Sequence, residues 1–314
     1  MRNEYTKSNF PIDAVILWVD GNDKMHRDKM LPFIKDKSKI NSKKFRTRFD
    51  QVNEIKFTVD SILKFAPYIK KIHIVTDNQT PGFLANSKIY KNKVSIVDHK
   101  IIFKGFEQYL PTFNCRSIET CIYRIPNLSE HFIYFNDDFF LINPTTPEDF
   151  YSDGNPILRG KWKEFDENIF YKRLKKIKKG HKTAQQNAAK IIGFSKYYNF
   201  KHTPHPMRKS TFKKFFDRNP AIFEENIKYR FRNASQFTPQ GLANHIEIKN
   251  KTFVFNKELR LMYFRSYKKP LLWYKFKLNY KTSNHLFLGL QSLDRCNQKI
   301  LTFLLSWVTT RTSN

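Results

Sequence analysis

The sequence predicts an α/β protein: a mostly parallel sheet with helices on both faces, followed by a more helical C-terminal part. Three observations carry this. Short apolar runs alternate with helical spacings through the first half of the chain. Each run ends in polar residues, as strands of open parallel sheets do where ligands bind. From Ala188 onward, helical patterns dominate.

The elements follow in order. Residues 12–19 (IDAVILWV) read as a buried strand. Val52, Ile55, Val59, Ile62, Leu63 and Ala66 recur at helical spacing, and Pro67 closes the pattern. Residues 71–75, 94–97 and 131–135 predict three more strands, and residues 115–124 a helix stopped by Pro126. Asp20, Asp77 with Asn78, Asp98, and Asn136-Asp137-Asp138 come directly after the four strands. Later helices are expected over 211–216, 220–227, 239–246 and 297–308. The expected organisation is a core over 1–153, a basic surface insertion or lid over 154–190, and a helix-rich part over 191–314. The insertion is the Lys-rich, weakly patterned stretch, mostly basic over 172–181.

Composition narrows the classes. The 314 residues are 40% hydrophobic, enough for a sizeable core, and Gly is scarce at 9, which excludes low-complexity classes. Lys plus Arg is 57 against 28 Asp plus Glu, a formal net charge of +29. Such a field attracts polyanions, whether nucleic acid, anionic lipid, nucleotide-sugars or an acidic polymer. A chain this rich in Lys, Asn, Ile and Phe reaches the same excess by composition, so charge alone selects no partner. Three cysteines without a C-x-x-C pair suggest reduced thiols rather than disulfides or zinc. No leader is expected, and no apolar run reaches the roughly 18 residues of a membrane span. Residues 300–308 fit a buried terminal helix or an interfacial contact.

Three clusters could carry chemistry. Asp137 and Asp138 interrupt two apolar runs; adjacent carboxylates at a strand end suit Mg2+ or Mn2+ against a diphosphate, or serve turn chemistry. His202 and His205 share five residues with two prolines, a rigid setting for acid–base work or a structural one. Arg232, and Arg48 earlier in the chain, could grip phosphate bidentately. Neither a nucleophile elbow nor a glycine-rich phosphate loop occurs.

In this order the motifs resemble those of the Stealth family of sugar-1-phosphate transferases. Residues 12–23 (IDAVILWVDGND) are similar to its first region. Residues 48–62, 66–69, 74–81, 110–114, 118–119, 124–129 and 132–138 are similar to the second, and His202-Thr-Pro-His205 with Arg232 and Gln236 to the third. At the fourth, residues 286–294, Gln291 and Ser292 replace the family's amide and acid, with Asp294 as an alternative acid.

The resemblance implies a glycosyltransferase-A-like fold whose 1–153 core binds the nucleotide-sugar. It implies transfer of hexose 1-phosphate, N-acetylhexosamine 1-phosphate for preference, from a UDP-sugar to a hydroxyl of a bacterial surface polysaccharide. UMP would be released, with Mg2+ or Mn2+ on Asp137 and Asp138. Trp18, Asp20 and Gly21 would line the nucleotide end, and Asn136 would orient the donor. Asp23, Asn53, Glu54, Asp77 and Asn78 complete the expected substrate-binding set. Arg232 and Arg48 would steady the phosphates. His202 is the first choice of general base and His205 the second. Expected partners are the UDP-sugar, a polyanionic polysaccharide acceptor and an anionic membrane surface, with the protein cytoplasmic and peripheral on the inner leaflet. Two alternatives stand: a metal-dependent glycosyltransferase releasing UDP, and a non-enzymatic binder of polyanion or membrane. No nucleic-acid motif occurs, so no nucleic acid is expected.

Overall fold

A strand that is apolar on both faces must be covered on both faces. That is the state of β1 (Ile12–Leu17) in the computed structural model, which describes residues 10–39, 42, 52–86, 88–170 and 180–313. β1 pairs in parallel with β2 (Ile69–Thr76) on one side and with β4 (His131–Asn136) on the other. β3 (Val94–Asp98) lies outside β2, also parallel. β9 (His205–Arg208) closes the far edge antiparallel to β4, so the order is β3-β2-β1-β4-β9. All four predicted strands are present.

Alternation along these strands feeds two cores. Ala14, Ile16, Ile133 and Phe135 pack with Ile55, Val59 and Ile62 of a helix over Glu54–Phe65. Val15, Phe132 and Tyr134 pack, on the other face, with Ile118 and Cys121 of the helix Cys115–Cys121 and with Leu242 and Ala243 of Pro239–Asn250. In chain order the helices are α1 (Lys24–Met30), α2 (Glu54–Phe65), α3 (Lys88–Lys93), α4 (His99–Ile102), α5 (Cys115–Cys121), α6 (His181–Ile192), α7 (Lys209–Arg218), α8 (Pro220–Ile227), α9 (Pro239–Asn250), α10 (Leu271–Tyr280) and α11 (Gln298–Thr312). The α-helix predicted over 115–124 ends at Cys121 and continues as one 3-10 turn, Ile122–Arg124.

The C-terminal part departs from a purely helical reading. It holds β8 (Lys196–Phe200), β9, β10 (Val254–Asn256), β11 (Leu261–Phe264) and β12 (Phe287–Leu290). β12 pairs with β11 and, antiparallel, with β5 (Phe139–Leu141), the strand that immediately follows the acidic run. α10 and α11 cover this small sheet through Tyr274, Leu278, Ile300 and Leu304. The segment read as an insertion or lid also carries packed structure. β7 (Asn155–Glu164) pairs with β6 (Tyr151–Ser152), β8 and β10, and α6 follows it. The most basic stretch, 171–179, lies outside the described residues.

The chain runs outward from β1 through β2 to β3, then returns to place β4 on the opposite side. The crevice outside the carboxyl ends of β1 and β4 is therefore the topological switch point, where open α/β sheets bind ligands.

Candidate active site

Leu17 pairs with Asn136, so Trp18, Asp20 and Gly21 leave β1 beside the point where Asn136-Asp137-Asp138 leaves β4. Asp137 and Asp138 form a two-residue turn into β5, pinned from two sides. The Thr58 hydroxyl of α2 donates to the Asp137 carbonyl at 2.6 Å, and the Leu290 N–H of β12 donates to the Asp138 carbonyl at 3.0 Å. Glu54, the first residue of α2, is buried; its carboxylate accepts from the Val52 N–H at 2.6 Å.

Three carboxylates thus converge. Burial, then the charges of Asp137 and Asp294, push Glu54 up to about 7. Burial and Asp138 raise Asp137 above the usual carboxylate range, and burial and Glu54 raise Asp138. Among the described residues, no three His, Cys, Asp or Glu side chains stand ready as a coordination sphere. The donors nevertheless fit Mg2+ or Mn2+, which commonly take one or two carboxylates and complete the shell with water and substrate phosphate oxygens. A divalent cation is also what would relieve the mutual repulsion.

The other wall is basic and aromatic. His202 lies between β8 and β9, and His205 opens β9 rather than sitting in a loop. The His202 ring stacks on His181 at 4.6 Å and lies 6.3 Å from Phe139, the residue after Asp138, and 6.1 Å from Tyr263. Burial, helped by Arg265, Lys201 and Arg232, holds His202 down to about 4. Burial and His202 hold His205 to about 3, and burial takes His181 well below the ordinary value. Burial thus keeps all three imidazoles neutral near pH 7. Arg232 donates to Cys115 Sγ at 2.9 Å, and Glu119 and Tyr134 add to the field that keeps it charged. Tyr134 in turn donates to Glu119 at 2.8 Å and feels the charge of Asp137.

Beyond the carboxyl end of β1 several polar groups serve the protein itself. Asp23 caps α1 by accepting from the Met25 N–H, and it accepts from Gln79 at 2.9 Å. Gln79 also clasps the Asp20 backbone in both directions, and the Asp20 carboxylate accepts from the Asn22 N–H. Asp77 accepts from Lys29 at 3.2 Å, and its carboxyl is held down to about 2, chiefly by His26. Asn53 and Asn78 both adopt left-handed backbone, at φ 67° and 53°, where Asn is tolerated. Gly21 is buried. Trp18 is buried, with an indole N–H that no group among the described residues accepts. Arg48 lies outside the described residues.

Sequence reasoning passed over several neighbours of the acidic turn. The Tyr263 and Tyr267 hydroxyls both donate to Gln291, at 2.8 and 3.0 Å, and the charge of Asp138 acts on both phenols. No local signal marks these tyrosines; only the pairing of β11 with β12 brings them here. Glu119 sat inside a quoted motif without a role, and His181 lay at the edge of the basic stretch.

The description "Stealth protein CR1, conserved region 1" matches residues 10–38, and "Stealth protein CR2, conserved region 2" matches residues 48–157. A capsular polysaccharide phosphotransferase of Actinobacillus suis is 32% identical over 289 residues, 88% of this chain and 70% of that protein. The chain belongs to the Stealth family. A further relative, the exopolysaccharide phosphotransferase cps2G of Lactiplantibacillus plantarum, is 42% identical over 153 residues, which are 48% of this chain and 43% of that protein. Among solved structures, the galactosyltransferase LgtC in complex with donor and acceptor sugar analogs aligns over 96% of this chain and 97% of its own, at 12% identity and TM-score 0.48.

The two matched Stealth regions contain the residues after β1, Glu54, Glu119 and the acidic turn. His181, His202, His205, Arg232 and Tyr263 lie beyond both, and the fold delivers them to the same crevice. Within residues 286–294, Gln291 holds the two tyrosines, and the charge of Asp294 acts on Glu54.

Proposed function

We propose that this Stealth protein transfers a sugar 1-phosphate, N-acetylhexosamine 1-phosphate for preference, from a UDP-sugar to a hydroxyl of a surface polysaccharide, with release of UMP. One observation carries the reading. Repelling carboxylates at the switch point, Glu54, Asp137 and Asp138, share a crevice with a neutral histidine and a permanently charged arginine. The names of the relatives point the same way.

In the reaction, the acceptor oxygen bonds to the sugar-proximal phosphorus. The bond from that phosphorus to the bridging oxygen breaks, and UMP carries the electron pair away. His202 takes the hydroxyl proton. Its low basicity in the empty crevice rises when a dianionic diphosphate arrives. Arg232 faces the charge that builds on the phosphate oxygens, and its fixed position limits reorganisation. Asp137 and Asp138 would hold Mg2+ or Mn2+, which neutralises the diphosphate. Trp18 would offer the donor its indole N–H, which no group among the described residues accepts, alongside Asp20, Gly21 and Asn136.

The net charge of +29 suits a polyanionic acceptor and an anionic inner leaflet of the cytoplasmic membrane. No helix among the described residues is long and apolar enough to cross a membrane, so any contact of these residues with it would be peripheral. The test is incubation with a UDP-sugar panel and acceptor extract. UMP and a new phosphodiester in the phosphorus NMR spectrum are expected. Release of UDP with a glycosidic product would overturn the proposal in favour of ordinary glycosyl transfer.

A further inference from the structure

Helix α10 (LLWYKFKLNY) is apolar on two opposite sides but packed on only one. Tyr274 and Leu278 are fully buried in the core of the small C-terminal sheet. On the outer side Leu272, Phe276 and Tyr280 are 75%, 50% and 72% exposed. Spaced by four, they fall within about 80° of one another and form one stripe along the helix. The Phe276 and Tyr280 rings touch at 5.7 Å. An apolar stripe on a helix is normally buried; here nothing among the described residues covers the outer one.

Its rim is of one sign. Residues 265–293 carry six cations, Arg265, Lys268, Lys269, Lys275, Lys277 and Lys281, and no acid. Lys268, Lys269, Lys275 and Lys281 are exposed. Lys281 Nζ stands 5.8 Å from the Phe276 ring, and Lys275 Nζ 5.8 Å from Phe303 of α11. Trp307 of α11, half-buried, donates its indole N–H to Asn279 of α10 at 3.0 Å.

We propose that the Leu272–Phe276–Tyr280 face of α10 docks on an anionic lipid bilayer. The stripe enters the boundary between headgroups and acyl chains, and the surrounding lysines contact lipid phosphates. This deepens the membrane reading above and rests on it. Apolar ridge and basic rim together are the pattern of a helix lying in the membrane plane. Charge decides against a second copy of the chain, since a two-fold contact would set lysine against lysine, and lysine is depleted from protein interfaces. A neutral sugar chain fits poorly, because the exposed face of the helix offers one amide, Asn279, already engaged by Trp307, and no carboxylate to bond hydroxyls. The consequence for the site is direct. β11 carries Tyr263 to the acidic turn, and a loop over residues 265–270, with Tyr267 in it, leads straight into α10. Docking would hold the Tyr263 side of the crevice at the lipid surface.

The test is flotation with vesicles of phosphatidylcholine alone and of phosphatidylcholine with phosphatidylglycerol at 3:1. The wild-type protein is expected to float with the anionic vesicles, and to lose this in 0.5 M NaCl, which screens the rim. The Leu272→Ser/Phe276→Ser/Tyr280→Ser variant changes only exposed positions, and it should lose at least about tenfold in partitioning. Lys275→Glu/Lys281→Glu should lose a similar factor by a separate route. Both should release UMP with a soluble acceptor within about twofold of wild type, so failure of docking and failure of the proposed reaction read out separately. Unchanged flotation of the serine variant overturns the proposal. So does a wild-type dimer that the serine variant dissolves, or binding to a phosphodiester polymer without binding to vesicles.

Discussion

Glu54→Gln is the most direct probe of the acidic centre. The substitution removes the charge and keeps an oxygen that can accept from the Val52 N–H, as Glu54 does at 2.6 Å. Glu54 is held up from 4.5 to about 7, first by burial and then by Asp137. A raised carboxyl binds protons more tightly in the folded state, so stability falls as pH climbs from 4.5 to 7, and the whole penalty is present above 7. At about 1.36 kcal/mol per pH unit, the ionised group costs the fold about 3 kcal/mol at pH ~8.5 and about 1 at pH ~5. Glutamine resembles the protonated acid and avoids most of this cost. The variant should therefore be more stable than wild type at alkaline pH, with the gain shrinking by about 2 kcal/mol at pH ~5. Urea unfolding of both proteins in EDTA at the two pH values measures it. The buried histidines are common to both proteins and cancel in the difference. Equal or lower stability of Glu54→Gln at pH ~8.5, or a gain of the same size at both pH values, would refute the reasoning.

Three further outcomes are expected. His202→Asn should lower turnover by about 10²- to 10⁴-fold with little change in donor KM; initial rates of UMP release within tenfold of wild type would remove His202 as the base. Arg232→Lys keeps a cation but loses the planar fork, and kcat/KM should fall by about 10²-fold, read from the same rates. Gly289→Ala would put a Cβ 2.7 Å from the Tyr263 ring and 2.8 Å from the Phe139 ring. Overpacking of this kind costs about 1–3 kcal/mol; both rings border His202, so turnover should fall along with Tm, and an unchanged variant would show that the rings yield freely.

The parallel half of the fold was legible because its strands are buried on both faces and read as unbroken apolar runs. The C-terminal strands were not. β11 and β12 are four residues each, and the aromatic-rich β8 has only five; runs so short fit a buried helix turn equally well. β9 contains Pro206, which demotes a strand in any sequence reading, and it survives because it lies at the sheet edge. The stripe of α10 was hidden for the opposite reason: apolar residues on two opposite sides erase the helical period.

The candidate site divides along the same line. Asp137 and Asp138 declared themselves by interrupting an apolar run, which is a local signal. The role of Glu54 beside them was invisible, because the helix that carries it meets β4 and β5 only in the folded chain. What the assembled centre adds is an argument from charge. Bases outnumber acids 57 to 28 in this protein, so a carboxylate should find a cation, as Asp77, Asp149, Asp166 and Glu247 do. Among the described residues, the charges that dominate at Glu54, Asp137 and Asp138 are instead one another's and that of Asp294. Among the described residues, repulsion left standing in a chain rich in lysines and arginines is what the proposed Mg2+ or Mn2+ site would need, and the proposed diphosphate would bring its charge to Arg232.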